Sequence, residues 1–297
     1  MNSKKNSVLA KQRRAGWLFL TPATVMIAVM SFWPMIQALI TSFKKGPILN
    51  MQMASPWYNN YTRILQDKIF LTAMKNTFLY LIIQVPIMLV LALVLANLLN
   101  NPNLRWKGLW RTAIFLPCAV SLVSYSLVFR TMFATDGFVN DMLMGMNLIG
   151  EPINWLGQTG TARFVLILGL VWRWTGYNMV FYLAALQNID HSSIEAARVD
   201  GANSWRTFWY VTVPQLKPMI LLTAIMSTNG TLQLFDESFN LTRGGPANTT
   251  MTMSHYLYEL SFQKNPNIGY GSALSYVILI LVAVLALVQM KVGDKRD

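Results

Sequence analysis

Six stretches of the chain are predominantly apolar and 17 to 28 residues long, close to the roughly 20 residues that a helix needs to cross a bilayer. Polar connectors separate them. The pattern predicts an all-α membrane protein with six transmembrane helices and one transmembrane domain over residues 1–297. The expected spans are 16–43, 76–99, 112–133, 164–186, 219–235 and 270–290.

The connector between the fourth and fifth spans differs from the others because it is amphipathic and predicts two short helices. Ser192 and Glu195 have the spacing of a capping box, which predicts a helix beginning near Ser193. Gly201 is expected to end that helix, because glycine adopts the left-handed cap without steric cost. Ser204 is then placed to cap a second helix.

The second short helix carries the aromatic side chains Trp205, Phe208 and Trp209. Pro214 is expected to end it by holding Val213 in an extended conformation. The connector is therefore predicted to be a helix, a turn and a helix. On residue pattern alone, an amphipathic connector lying on the membrane surface also fits.

Basic residues favour one orientation of the six spans. A cytoplasmic N-terminus puts three basic clusters and the basic ends of the chain on the inner side, as the positive-inside rule requires. Both termini and the amphipathic connector are then cytoplasmic. A cleaved signal peptide is disfavoured by the length of the first apolar run. The inner residues are Lys4, Lys5, Lys11, Arg13, Arg14, Arg105, Lys107, Arg111, Arg198, Arg206, Lys217, Lys291, Lys295 and Arg296, and the fewer outer ones include Lys44, Lys45, Arg63, Lys68, Arg243 and Lys264.

Composition supports a membrane protein. Hydrophobic residues make up 54% of the 297 residues and charged residues only 12%, about half the fraction usual in soluble domains. The net charge of +12 does not indicate nucleic-acid binding, because the basic residues form no continuous patch. Cys118 is the single cysteine, and His191 and His255 are the two histidines, so metal chemistry is not expected.

No Gly-Lys dipeptide occurs, so the phosphate-binding loop of ATPases cannot be present. The sequence also lacks the motifs of an intramembrane hydrolase. The chain is therefore predicted not to be an enzyme, and any energy must come from partner subunits. Between the third and fourth spans, residues 136–161 predict an ordered external loop.

Polar residues inside the fourth and fifth spans predict a polar pathway. Ser227 and Thr231 share one helix face beside Gly230, and such groups need a partner in protein or in a water-filled path. The fourth span presents an aromatic face that includes an amide, formed by Trp174, Tyr177, Asn178 and Phe181. Hydroxyl and amide groups beside aromatic rings suit a neutral sugar. Ordinary hydrogen bonding and packing between helices explains any one of these residues equally well.

Arg173 is a charge within a span and hence a candidate functional residue. It can contact an anionic substrate, pair with a carboxylate of a partner or extend toward the interface, and a structural role is favoured. Asp236 and Glu237 follow the fifth span and are expected to be exposed gate or loop charges.

The connector, residues 190–214, closely resembles the EAA motif of ABC importer permeases. The resemblance is carried by Glu195, Ala196 and Ala197, then Asp200 and Gly201, then Pro214. Val211 and Val213 stand where isoleucine and leucine are usual, and Asp190 where proline is common. In that family the segment is the cytoplasmic coupling helix, on which an ATPase subunit sits, and the resemblance implies a type I importer fold.

Further residues resemble carbohydrate-uptake permeases of the maltose and glycerol-3-phosphate type. These are residues 172–176 (Trp-Arg-Trp-Thr-Gly), 241–250 (LTRGGPANTT) and 269–273, with Tyr256 and Tyr258 between the last two. The resemblance covers most of the chain from Leu116 to Ala273. It implies import of a di- or oligosaccharide by a heteromeric complex in the bacterial inner or plasma membrane.

The same resemblance implies the complex's other components. They are a second homologous permease, two ATP-binding subunits that use ATP and Mg, and an external substrate-binding protein that meets residues 136–161 and 244–250. This chain itself is expected to bind no cofactor and no metal. The implied substrate pathway comprises Cys118, Leu122, Trp174, Thr175, Ser227, Thr231 and Leu234, to which the polar pattern adds Tyr177, Asn178 and Gly230.

Two other classes of protein compete with this interpretation. A secondary carrier or channel would use Arg173, Asp236 and Glu237 for ion coupling, and its transport would survive ATP depletion. A structural or regulatory subunit would tolerate replacement of Ser227, Thr231 or Trp174 without change in uptake. Neither accounts for the EAA spacing.

Overall fold

A computed structural model describes residues 2–263 and 266–293, and most of these residues are helical. Lys264, Lys295 and Arg296, which contributed to the predicted orientation, lie outside the described residues. The contacts divide the chain into two units. The first comprises 1–65 and 260–277, and the second comprises 66–259 and 278–297. The single-domain assignment stays a prediction.

The first unit begins with a long helical run. Helix α1 (Asn2–Ile27) passes through a π-helical turn, Ala28–Phe32, directly into α2 (Trp33–Ser42). The part from Gln12 to Ser42 is apolar and long enough to span a membrane. Its side chains are almost all exposed, as the predicted first span requires.

A short hairpin follows α2. Strands β1 (Lys44–Lys45) and β2 (Gln52–Met53) pair antiparallel across a 3₁₀ turn, Ile48–Asn50. The Asn60 side chain fastens the hairpin by donating to the carbonyls of Ser42 at 2.7 Å and Lys44 at 2.8 Å. Asn60 is in α3 (Asn59–Gln66).

The remaining helices include three more that are long and apolar enough to cross a membrane: α4, α8 and α14. Two shorter helices, α5 and α6, form a single candidate span if they are taken together. The bounds are α4 Lys68–Asn100, α5 Lys107–Ala119, α6 Leu122–Met132, α7 Phe138–Gly145, α8 Thr159–Leu186, α9 His191–Val199, α10 Ser204–Thr207, α11 Val213–Gln215, α12 Lys217–Leu232, α13 Met253–Phe262 and α14 Ile268–Gly293.

The predicted third span, 112–133, is not one straight helix. Helices α5 and α6 meet at an angle of 96°. Val120, between them, is extended, with φ −72° and ψ 144°. Pro117 explains part of this, because proline donates no hydrogen bond and disrupts the helix around it.

The predicted fifth span, 219–235, is also shorter than expected. Helix α12 has 16 residues and ends at Leu232, so residues 233–235 lie beyond it. At 1.5 Å per residue its length is about 24 Å. The described residues thus contain four long apolar helices, or five with the bent pair, and α12 falls below that length.

Two apolar cores lie at opposite ends of the second unit. One joins the first halves of α4 and α8 with α6, through Tyr80, Leu166 and Phe129. The other joins their second halves through Ala92 and Tyr182. Helices α4 and α8 therefore run in the same direction, and α5 and α6 carry the chain back between them.

Helix α12 runs opposite to α4 and α8. It is preceded by Leu216, in the core formed by their second halves, and followed by Leu234, in the core formed by their first halves. Its length therefore bridges the distance between the cores. Helix α14 returns along it, with Gln289 donating to the Thr228 hydroxyl at 2.7 Å.

Close packing of α5 on α8 depends on Gly176. A Cβ atom there would lie 2.0 Å from the Ile114 carbonyl oxygen, so only glycine fits. Helix α5 thereby packs closely against α8, and α6 reaches α8 through the side chains of Tyr125 and Phe129, which face Gly169.

Candidate functional site: a mid-length cavity and an exposed helix-turn-helix

A cavity of about 300 Å³ lies between the two apolar cores of the second unit. Along α4 its walls, Gln84 and Met88, follow Tyr80 of one core and precede Ala92 of the other. It is of the size that small-molecule sites have. Its walls are Gln84, Met88, Leu122, Leu170, Trp174, Tyr177, Asn178, Met226, Ser227, Gly230, Thr231, Gln233, Leu234, Phe235, Asp236 and Glu237.

Most of the predicted pathway residues meet in this cavity. They come from the bent pair, from α8, from α12 and from the turn after it, which the fold brings together. The eight are Leu122, Trp174, Tyr177, Asn178, Ser227, Gly230, Thr231 and Leu234. Whether they bind substrate stays a prediction.

Cys118 and Thr175 do not line the cavity. The hydroxyl group of Thr175 donates to the Val171 carbonyl at 2.6 Å within its own helix, and its side chain is buried. Cys118 is at the end of α5, where its carbonyl accepts a bond from Arg173. Both residues therefore form hydrogen bonds within the protein beside the cavity and are not part of its wall.

Hydrogen bonds link the polar groups of the cavity in an open chain. Thr231 donates to Gln84 Oε1 at 3.2 Å, and Ser227 donates to Asn178 Oδ1 at 3.4 Å. The amides of Gln84 and Asn178 both point toward the Met88 sulfur, at 3.2 and 3.6 Å. The Asn178 amide also donates to the Trp174 carbonyl at 3.0 Å. A thioether is a weak acceptor, so the N–H groups directed at Met88 have room for a better partner.

Aromatic rings form one wall. Trp174 and Tyr177 meet edge to face with centroids 5.8 Å apart, and Tyr177 meets Phe181 in the same way at 5.1 Å. A ring face beside hydrogen-bonding groups matches a sugar, whose carbon face is apolar and whose hydroxyl groups are polar.

The predicted pathway left out eight of the sixteen residues of the cavity wall, among them Gln84, Met88 and Glu237. Gln84 and Met88 belong to the second span, which contains few polar residues. The amide of Gln84 within this apolar run is the signal from which a place in the cavity could have been predicted. Glu237 was expected to be exposed, but its side chain is 3% exposed. That expectation is wrong, because the turn after α12 folds Glu237 inward between α6 and α8.

Arg173 holds the break in the bent pair. Its guanidinium donates to the carbonyls of Pro117 at 3.2 Å, Val120 at 2.8 Å and Cys118 at 3.3 Å. Carbonyls at a helix end lack intrahelical donors, and Arg173 supplies them. It also lies over the Tyr125 ring, 5.0 Å from the centroid. The structural role favoured by the sequence is the one observed.

The helix-turn-helix connector has the predicted form but different caps. Helix α9 is capped by Asp190, whose carboxylate accepts from the Ser192 backbone N–H at 3.0 Å, so the predicted Ser192–Glu195 capping box is wrong. Aspartate here therefore does the capping itself. Helix α10 is capped by Asn203, one residue before the expected Ser204.

Gly201 ends α9 as predicted. Its φ is +84°, its N–H donates to the Arg198 carbonyl, and the Ala202 N–H donates to the Ala197 carbonyl at 2.9 Å. These two bonds form a Schellman motif, which requires the left-handed residue that glycine provides.

Pro214 does not end the second helix. Val213 is helical, with φ −61° and ψ −42°, and a π-helical turn, Phe208–Thr212, leads into α11. Proline is tolerated near a helix start, where its missing N–H would have no intrahelical partner. The chain is thus helical almost without interruption from Ser204 to Leu232.

The connector is exposed on one side and anchored on the other. Phe208 is buried in the core formed by the second halves of α4 and α8, while Trp205 is 69% exposed. Gln215 donates to the Ser193 hydroxyl at 3.0 Å and closes the segment on itself. The EAA residues are exposed, except for the half-buried Ala197: Glu195, Ala196, Asp200, Gly201 and Pro214.

The loops at the other end of α4 and α8 are ordered. Asn140 is central to residues 136–161, where its amide bonds Ile153 in both directions and accepts from the Trp155 indole at 2.9 Å. The loop 244–250 is pinned by Arg163, which donates to Thr249 and to Asn76. The ordered loop predicted at 136–161 is therefore present.

Residues 66–292 match the family model described as "Binding-protein-dependent transport system inner membrane component". The chain belongs to this family. It is a multi-pass membrane protein and a permease of a transport system.

Relatives in the family carry sugar names. The chain is 48% identical to the lactose transport system permease protein LacF of Rhizobium radiobacter, over 95% of this chain and 94% of that one. It is 34% identical to the arabinooligosaccharides transport system permease protein AraP of Halalkalibacterium halodurans, over 94% and 87%. The resemblance to carbohydrate-uptake permeases is confirmed.

A solved structure has the same fold. It is a bacterial alginate ABC transporter in complex with an alginate pentasaccharide-bound periplasmic protein, with a TM-score of 0.82 and 22% identity. The match covers 96% of each chain. The permease therefore has the fold of an ABC transporter membrane subunit.

Proposed function

We propose that this permease moves a di- or oligosaccharide through the mid-length cavity and that the exposed connector couples the movement to ATP hydrolysis by other chains. The observation that carries the proposal is the single continuous path from connector to cavity. Phe208 is packed in the core beside the cavity, and the helical run from Ser204 reaches Ser227 and Thr231 in its wall.

The proposed mechanism depends on the connector and α12 moving together. Two ATP-binding subunits, using ATP and Mg, dock on the exposed face around Glu195, Ala196, Asp200 and Gly201. When they close, they push α9 and α10 as one body, because Gln215 and the buried Phe208 join the connector to α12. Movement of α12 against α8 then opens the cavity to one side of the membrane and closes it to the other.

The complete transporter would contain a second, homologous permease and an external binding protein. The ordered loops 136–161 and 244–250 lie at the end of the second unit opposite the connector, which suits delivery of substrate from outside. This arrangement is supported by the alternating directions of α4, the bent pair, α8, α12 and α14. The proposal includes six crossings of the membrane, counting the span of the first unit, in one transmembrane domain of the type I importer fold with both termini in the cytoplasm.

Carbohydrate uptake tests the proposal. The permease, its partner subunits and its binding protein are reconstituted in proteoliposomes, and uptake of radiolabelled lactose and arabinotriose is measured with ATP inside. We expect uptake that needs ATP and the binding protein and that persists when ion gradients are collapsed. Uptake that stops with the gradient and continues without ATP would establish the secondary carrier instead.

A further inference from the structure

Glu237 is an unusual residue for a cavity wall. It lines the cavity, its side chain is 3% exposed, and its Oε1 atom has no hydrogen-bond partner among the described residues. The Tyr125 hydroxyl and the Trp174 side chain lie beside this carboxyl group without donating to Oε1. One buried carboxylate oxygen is therefore open to a donor that arrives from elsewhere.

The neighbouring cation does not satisfy this carboxyl group. No side chain of Lys or Arg in the described residues lies within ion-pair distance of Glu237. The Nη atoms of Arg173 donate to three backbone carbonyls and not to Glu237, while its buried Nε has no partner among the described residues. Asp236, also in the cavity wall, adds a second carboxyl group.

We propose that Glu237 is a substrate-binding and selectivity residue, which accepts hydrogen bonds from sugar hydroxyl groups and, with Asp236, excludes anionic sugars. Sugar hydroxyl groups are donors, and bonds to a charged acceptor are about twice as strong as neutral ones. A carboxylated sugar would bring a like charge to the two carboxyl groups, Asp236 and Glu237, in a cavity whose wall contains no basic side chain among the described residues. This inference rests on the proposed function and defines its substrate class as neutral.

Equilibrium binding to the solubilised complex tests it. The sample is the complex of the permease, its partner permease and the ATPases. It is titrated with lactose and arabinotriose as neutral probes and with digalacturonate as the anionic probe, and binding is measured by saturation-transfer NMR. The binding protein is left out, so that the Kd reports the cavity. Glu237→Gln and Glu237→Ala are compared with Glu259→Gln, which removes a carboxylate outside the cavity.

We expect Glu237→Gln to weaken binding of a neutral probe about tenfold, the equivalent of roughly 1.4 kcal/mol, and Glu237→Ala to weaken it further. Glu237→Gln should also bring digalacturonate closer to the neutral probe in affinity, and Glu259→Gln should change neither. The melting temperature of Glu237→Gln should not fall, because no bond to Oε1 is lost.

Three results would overturn the inference. One is an unchanged Kd and an unchanged neutral-to-anionic ratio in the Glu237 variants of a complex that takes up sugar, which leaves the proposed function intact. Another is a lowered melting temperature with an unchanged ratio, which assigns Glu237 a purely structural role. If the wild-type complex neither binds nor takes up any neutral probe, the proposed function fails and the inference fails with it.

Discussion

A single arginine replaces the donors that a broken helix lacks. Arg173 reaches three carbonyls around the break between α5 and α6, and it stacks over Tyr125. The planar guanidinium presents five N–H donors in a fixed fork, whereas lysine has three on a compact ammonium group. A charge in the middle of the fourth span is thus explained without a substrate.

We predict that Arg173→Met lowers stability strongly. It leaves buried carbonyls without donors, each costing about 1–3 kcal/mol. Thermal melting of the purified complex in detergent measures the loss, and Arg173→Lys should restore it only in part. Arg130→Met, an exposed arginine in α6, is the matched control. A melting temperature equal to that of the control would show that the carbonyls find other donors.

His255 links stability to pH outside the spans. It is buried, and its Nδ1 lies 2.8 Å from the Ser238 hydroxyl, which is also 2.8 Å from the Thr250 carbonyl. Since the hydroxyl hydrogen goes to the carbonyl, Nδ1–H donates to Ser238. Burial lowers the pKa of His255 to about 4, and the half-exposed Glu259, 3.7 Å from Nε2, does not offset this.

Stability should therefore fall on acidification. The folded pKa is below the unfolded value of about 6.5, so the contribution of neutral His255 is complete above pH 6.5 and is lost as the pH falls toward 4. Melting temperatures across this window should decline less steeply for His255→Asn, whose amide can replace Nδ1–H. Parallel curves for the two proteins would mean that His255 is not responsible.

At the scale of helices, the sequence predicts which segments are helical better than it predicts where they bend or end. Apolar length identifies α4, α8 and α14, because lipid imposes it on each helix separately. The break at Val120 depends on Arg173, more than fifty residues away, and no local pattern reveals that bond. Pro117 was a visible warning.

The cavity and the connector likewise contain residues that the sequence predicts and residues that it does not. Ser227 and Thr231 can be recognised in the sequence as polar residues in an apolar run, and they line the cavity. Gln84 and Glu237 enter it only because α4 and the turn after α12 converge there. In the connector, Asp190 and Asn203 outcompete the nearby serines as caps, a choice of one or two residues that intrinsic preference leaves open.

The prediction for the connector concerns a substitution at Gly201. No atom lies within 4 Å of where its Cβ would be, so the constraint is conformational, set by a φ of +84°. A side chain in the left-handed region costs about 1–2 kcal/mol, and more when it is β-branched. We expect Gly201→Val to distort the turn and reduce co-purification of the ATPase subunits about tenfold while the permease still inserts.

The control for Gly201→Val is Gly150→Val. Gly150 is equally open, and its φ is not in the left-handed region. Membrane yield and the amount of ATPase retained on affinity-tagged permease are measured for both. Normal ATPase retention by Gly201→Val would refute the docking role of the connector.

At the scale of the whole molecule, the orientation in the membrane decides whether the connector can meet an ATPase at all. The connector and the loop 136–161 lie at opposite ends of the second unit, because α8 runs between them from Thr159 to Leu186. The proposal requires the first to be cytoplasmic and the second external. The chain's one cysteine makes this directly measurable.

In a Cys118→Ser background, single cysteines are introduced at two exposed positions, Glu151→Cys in the loop and Arg198→Cys in α9. We predict that a membrane-impermeant maleimide labels Glu151→Cys in intact spheroplasts and Arg198→Cys only after permeabilisation. Uptake of the sugar that the wild-type complex transports, measured for each variant, verifies that the variant is assembled. Labelling of Arg198→Cys from outside would put the connector on the wrong face for ATP-driven import, and the coupling mechanism would then fail even if the cavity binds sugar.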